Sequence, residues 1–93
     1  MINRQEILNL SSVINNGLLL SQNKELNESV FVQWFENSRL ILRFSLDNPH
    51  IYSIIDKNYM EIFKTMEKSN VEITIPKKIE YCIKYLQDIM EEL

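Results

Sequence analysis

Two side chains, His50 and Cys82, are of the types that most often carry out chemistry near neutral pH, and each occurs once in the chain. A catalytic histidine needs a serine, cysteine or carboxylate within reach, and a nucleophilic cysteine needs a neighbour that lowers its thiol pKa. His50 follows Asn48 and Pro49, which are typical of an exposed helix start, and Cys82 falls on an apolar helical face. We therefore expect no catalytic site, and a protein that is not an enzyme.

Metal and cofactor sites also lack their usual patterns. One cysteine and one histidine cannot supply a Cys/His zinc site, and a lone cysteine excludes an internal disulfide. The pairs Glu25 with Glu28 and Asp56 with Glu61 could bring carboxylates together on helices, but no Glu-x-x-His motif accompanies them. A single glycine excludes a glycine-rich phosphate loop. We expect no metal and no cofactor.

Glu36, Arg39 and Arg43 form the first candidate partner-binding group. Two arginines four residues apart on one helix repel each other, which invites an anionic partner. Glu36 can supply that anion itself, because it lies three residues before Arg39. Asp47 stands four residues after Arg43 and can pair with it in the same way. The polar edge of this helix is therefore either a binding surface or an ordinary solvated face.

A basic and aromatic strip near the C-terminus forms the second candidate group. It comprises Lys77, Lys78, Tyr81, Lys84 and Tyr85. Lysines interleaved with tyrosines can contact a phosphate backbone or an acidic protein. The plainer interpretation is a solvated helix face with tyrosines at its boundary.

The composition predicts that these residues lie on helices of one all-α domain spanning residues 1–93. The chain is 45% hydrophobic and has one glycine and two prolines, too few breaks for a sandwich or barrel of short strands. A net charge of −3 makes nucleic acid an improbable partner. The N-terminal stretch is too polar for a signal peptide or membrane span, and the single thiol suits the cytoplasm.

Apolar spacings of three and four predict four helices, over 3–21, 27–46, 49–68 and from 76 to the end. Between the last two helices, Val71, Ile73 and Ile75 alternate with polar residues, which predicts a short extended segment over 71–75. Residues 30–46 hold the only tryptophan and three of the four phenylalanines. We expect this run to be the centre of a four-helix bundle, with Trp34 inside.

A resemblance to a known family rests on a set of residues spread over about half of the chain. These residues are Gly17, Phe31, Trp34, Arg39, Leu42, Tyr52 and Phe63. In this respect the chain resembles the small helical accessory domains, with HEPN-like folds, of prokaryotic defence and nucleotide-signalling proteins. Ribonuclease members of that group carry a histidine five positions after an arginine, where this chain has Phe44 and Asn48. The resemblance therefore implies a helical accessory domain without ribonuclease activity.

Together these observations favour a noncatalytic module whose partner is another protein. It would be either a small inhibitor, of immunity, antitoxin or anti-defence type, or an accessory or dimerisation domain of a bacterial defence system. A 93-residue chain that begins with Met1 suits the inhibitor, whereas an apolar helix that continues to Leu93 suits the domain. The wide apolar stripe of residues 30–46 also favours a homodimer.

Two other functions remain open from the sequence. One is a HEPN-like ribonuclease that uses His50 with Arg39 or Arg43. The other is a nucleic-acid-binding domain that uses Lys77, Lys78, Lys84 and Tyr81.

Overall fold

The computed structural model describes residues 4–23, 25–46, 48–69 and 72–92, without the side chains of 4–7 and 45. Four helices fill most of this part of the chain: α1 (Arg4–Ser21), α2 (Glu28–Ser45), α3 (Pro49–Glu67) and α4 (Ile75–Glu92). No strand occurs among the described residues. The all-α four-helix prediction is confirmed, and helix ends differ from the predicted ones by at most one residue where the structure describes both. The predicted helix start at Asn3 lies outside the described residues.

The predicted extended segment over 71–75 includes one residue, Ile75, that belongs to α4. Val71 lies outside the described residues, and residues 72–74 belong to neither a helix nor a strand. Ile75 is already the first residue of α4, since the Lys78 N–H donates to the Thr74 carbonyl at 3.0 Å, a helical bond. Pro76 then sits in the first turn, where a missing N–H costs no helical hydrogen bond.

Asparagine side chains fix the starts of α2 and α3. The Asn27 side chain accepts a hydrogen bond from the Val30 N–H at 3.0 Å, so it satisfies one of the free donors in the first turn of α2. Asn48 does the same for α3, because its Oδ1 accepts from His50 N at 2.9 Å and from Ile51 N at 3.3 Å. These caps explain why both helices begin where the sequence predicts.

The helices form a flattened bundle. α1 packs against α2 and α4, α3 packs against the same two helices, and α2 also touches α4 across the middle. No contact joins α1 to α3 among the described residues. Phe31 of α2 faces Phe63 of α3 and Phe35 faces Tyr59, so these two helices are antiparallel.

Aromatic rings separate α3 from α2 and α4. Phe35 stacks on Phe63 with ring centroids 4.7 Å apart, and Tyr59 lies 4.5 Å from Phe35. On the other side, Tyr59 stacks on Tyr85 of α4 at 5.5 Å, and the Tyr85 hydroxyl donates to the Ile55 carbonyl at 3.1 Å. The predicted core run therefore does pack at the centre, although Phe44, at its end, is 77% exposed.

Gly17 lets α1 approach Trp34 closely. Trp34 is buried, as predicted, and its indole N–H donates to the Val13 carbonyl at 3.0 Å. Val13 lies one helical turn before Gly17, so the indole rests over the glycine. A Cβ on residue 17 would stand 2.6 Å from Cζ2 of Trp34 and 3.1 Å from Cδ1 of Ile83. No other residue type fits there unless the Trp34 ring or the Ile83 side chain moves.

We expect Gly17→Ala to lower the free energy of unfolding by about 1 kcal/mol. Overpacking a core costs about 1–3 kcal/mol, and here it outweighs the gain of about 1 kcal/mol in helix propensity. Urea unfolding followed by circular dichroism measures the difference. Asn16→Ala is the control, because Asn16 is exposed and should change stability by less than about 0.5 kcal/mol. Equal or greater stability of Gly17→Ala would contradict the close approach.

Candidate functional site

The structure does not assemble the residues of the ribonuclease hypothesis. His50 is exposed in the first turn of α3, and its imidazole has no hydrogen-bond partner among the described residues. Arg39 lies on α2 and is occupied by Asp56 of α3, with Nε to Oδ1 at 2.9 Å and Nη2 to Oδ2 at 3.1 Å. His50 therefore lacks a hydrogen-bonded catalytic partner among the described residues, and Arg39 is engaged by Asp56.

Arg39 is thus paired within the fold, and its predicted place in a partner-binding group stays a prediction. Its two bonds to Asp56 are bidentate, a strong arrangement for an arginine and a carboxylate, and they tie α2 to α3. The hydrogen bond with Asp56 raises the pKa of the Arg39 guanidinium. Glu36, the predicted partner, adds only a longer contact at 3.3 Å. Sequence spacing showed the neighbour on the same helix but not the one across the interface.

Cys82 belongs to a buried polar cluster rather than to a reactive site. Its thiol adjoins the Tyr59 hydroxyl, which lies 2.7 Å from Ser38 Oγ. Ser38 Oγ donates its single proton to the Phe35 carbonyl at 2.6 Å, so the Tyr59 hydroxyl must be the donor to Ser38. Burial raises the pKa of the Cys82 thiol to about 12, and burial also raises the pKa of Tyr59. The thiolate needed for nucleophilic attack is therefore disfavoured.

Lys78, a predicted member of the partner-binding strip, is paired within the fold. Its side chain is only 13% exposed, and its ammonium lies 3.1 Å from Glu28 of α2 and 3.9 Å from Glu67 of α3. The same ammonium stands 5.8 Å from the centre of the Phe31 ring. Lys78 therefore joins three helices, and its role toward a partner stays a prediction.

The other predicted site residues are exposed, but they do not form one surface of a single charge. Lys77 pairs with Glu80 at 3.4 Å and lies over the Tyr81 ring at 6.0 Å. Arg43 is exposed on α2 and has no ion pair with another described residue, and its predicted partner Asp47 lies outside the described residues. Only Tyr81 and Lys84 face a concave surface.

That surface is an open groove along the outer side of α3 and α4, called the α3/α4 groove below. It has two parts, of about 570 and 510 Å³, which share Tyr85 and Asp88. Apolar residues dominate the lining of both parts: Ile62, Met66, Ile73, Tyr81 and Tyr85 in the first, and Ile51, Ile54, Ile55 and Ile89 in the second. Ile54 is 51% exposed and Tyr81 is 45% exposed. The groove therefore presents apolar side chains to solvent.

Charged residues of the α3/α4 groove are mostly acidic. Glu61, Asp88 and Glu92 line it together with one lysine, Lys84. None of these four side chains forms an ion pair with another described residue, in contrast to Arg39 and Lys78. Sequence reasoning missed the groove because its two walls come from different helices, although the exposed positions of Ile51 and Ile54 follow a helical spacing.

Comparison with protein-family models, with curated proteins and with solved structures finds no match to this chain.

Metal and membrane features are likewise missing from the part of the chain that the structure describes. No group of three or more histidine, cysteine, aspartate or glutamate residues within it could hold a metal ion. None of its helices combines the length and the hydropathy needed to cross a bilayer.

Lys78→Gln should lower the free energy of unfolding by about 1–2 kcal/mol, because it removes the ammonium that joins α4 to Glu28 and Glu67. Lys77→Gln makes the same change one residue away, on an exposed pair, and should cost less than about 0.5 kcal/mol. Urea unfolding of both variants tests the difference. Equal effects would show that Lys78 is an ordinary surface lysine.

The raised thiol pKa predicts a loss of stability at alkaline pH. A folded-state pKa of about 12, against an ordinary value of 9.0, stabilises the fold fully below pH 9, and this contribution is lost as pH rises from there toward 12. Urea midpoints measured between about pH 7 and 10.5 should therefore fall above about pH 9.

Cys82→Ala provides the control for this pH dependence. It should be less stable than the parent at neutral pH, because it leaves a cavity, but its midpoint should fall less steeply above pH 9. Identical slopes for the two proteins would show that the thiol does not titrate with unfolding.

Proposed function

We propose that this protein is a noncatalytic protein-interaction module that binds another protein through the α3/α4 groove. The observation that carries the proposal is the apolar lining of that groove, in which Ile54 and Tyr81 are about half exposed. Exposed apolar patches rimmed by polar residues are typical of surfaces that bind another protein. Grooves between two helices commonly receive a segment of another chain.

The arrangement of the polar residues supports a binding role over catalysis. His50 is exposed and unpaired within the described chain, while the Cys82 thiol is buried with a raised pKa. Arg39, one of the two arginines in the ribonuclease hypothesis, is held by Asp56, and the other, Arg43, is exposed on α2. No site among the described residues brings together a general base, a nucleophile and a stabilising cation.

A nucleic-acid-binding role has less support from the same contacts. Lys78 is paired with two glutamates, and Lys77 is paired with Glu80. Lys84 is the remaining lysine of the strip, and it shares its groove with Glu61 and Asp88. Most of the positive charge that would attract phosphates is thus already neutralised.

Two biological settings fit such a module. One is a small inhibitor of immunity, antitoxin or anti-defence type, and the other is an accessory or dimerisation domain of a bacterial defence system. Both would act by holding another protein, and the unpaired thiol suits a reducing cytoplasm.

The proposal is tested by purifying the tagged chain, with its bound proteins, from the cells that naturally contain it. Ile54→Arg and Tyr81→Arg each place a charge in the groove, and we expect both to lose the partner that the parent chain retains. Phe44→Arg is the matched control, because Phe44 is exposed on α2, outside the groove. It should retain the partner. Circular dichroism of each variant confirms that it is folded.

Two results would contradict the proposal. One is a partner that remains bound to both Ile54→Arg and Tyr81→Arg. The other is cleavage of RNA by the purified chain that His50→Ala abolishes.

A further inference from the structure

We propose that the α3/α4 groove binds an amphipathic α-helix that carries lysine or arginine beside its apolar face. The inference rests on the proposed function, because it names the chemistry of the partner for the same surface. Three properties of the groove lead to it: the length of its walls, the order of apolar and acidic residues along it, and its unpaired charges.

The walls of the groove have the length of a short helix. On α3, the wall runs over residues 51–66, which rise about 24 Å at about 1.5 Å per residue. On α4, it runs in the opposite direction from Tyr81 to Glu92. A helix of about 15 residues matches this length, and two antiparallel helices present a channel suited to a rod-shaped ligand.

The order of residues along the groove separates two apolar ends by an acidic middle. Ile51, Ile54 and Ile89 line one end, and Met66 and Tyr81 line the other. Between them lie Glu61, Asp88 and Lys84, two carboxylates with one ammonium, and Glu92 lies beside the Ile51 end. A complementary helix would bury apolar side chains at both ends and place cationic side chains beside the middle.

The charges of the groove favour a basic ligand over an acidic one. Three carboxylates, Glu61, Asp88 and Glu92, face one ammonium, Lys84, and none of them is paired with another described residue. The whole chain also carries a net charge of −3, so its field attracts cations toward this surface. Lysine or arginine side chains on the ligand would pair with the carboxylates, whereas glutamates would be repelled.

A second copy of this chain fits the same surface less well. If two grooves faced each other across a twofold axis, each copy would contribute three carboxylates and one lysine. Even if each lysine found a carboxylate, two carboxylates per copy would remain without a cation. The charge balance therefore selects a basic helix from a different protein.

The experiment uses two synthetic amphipathic peptides of about 15 residues that share the same leucine face. One carries lysine on its polar face and the other carries glutamate, and fluorescence anisotropy with the full chain measures binding. We expect the lysine peptide to bind at least about tenfold more tightly than the glutamate peptide. We also expect its binding to weaken as sodium chloride is raised from about 0.05 to 0.5 M, because salt screens the pairs.

Charge reversal in the groove locates the site. The double variant Glu61→Lys with Asp88→Lys should bind the lysine peptide about tenfold more weakly than the parent chain. Glu25→Lys with Glu91→Lys changes the net charge by the same four units at exposed residues that do not line the groove. Its affinity should stay within about threefold of the parent value.

Three results would overturn the inference. They are equal binding of the two peptides, no binding of the lysine peptide, and sedimentation that shows a dimer of the chain dissociated by Tyr81→Arg. If the lysine peptide does not bind but a natural partner still depends on Ile54 and Tyr81, only the basic-helix inference fails. If that partner is also indifferent to both residues, the proposed function fails with it.

Discussion

The contact between Trp34 and Gly17 determines how the other helices can pack. A tryptophan is the largest side chain available to a core, and here it is placed where α1 comes nearest to α2. The absent Cβ of Gly17 makes room for the ring, while the indole N–H finds an acceptor in the Val13 carbonyl at 3.0 Å. Without that acceptor, burial of the indole would leave an unsatisfied donor. Ile83 of α4 closes the same space, so one small residue sets the position of three helices.

Packing on the opposite side of the bundle follows a different rule. α3 packs against a layer of aromatic rings instead of a glycine. Polar bonds at its edges hold it in place. Arg39 with Asp56 joins it to α2, and the Tyr85 hydroxyl joins it to α4 through the Ile55 carbonyl. Lys78, which reaches both Glu28 and Glu67, adds a third connection. The α1 side of the bundle is closely packed around Trp34, and the α3/α4 groove lies on the α3 side.

Much of the fold could be predicted from the sequence because local rules govern it. Asn27 and Asn48 are caps that act within one turn, and the spacing of apolar residues identifies Trp34 and Cys82 as inward-facing, as the structure confirms. The site was less predictable because its chemistry depends on contacts between helices. Asp56 lies 17 positions from Arg39 and Glu28 lies 50 from Lys78, so neither pair follows from the spacing along one helix. The α3/α4 groove was also missed, because its two walls lie on different helices.

The stacked rings of Tyr59 and Tyr85 have a consequence for any ligand of the groove. Two phenol rings at 5.5 Å, one of them bonded to the backbone of α3, act as a rigid spacer between the walls. These contacts hold the two walls together within the fold before any ligand binds. Such preorganisation means that association need not include the entropic cost of ordering the receptor, so that cost falls on the incoming segment. Selectivity would then depend on how readily a candidate segment becomes helical.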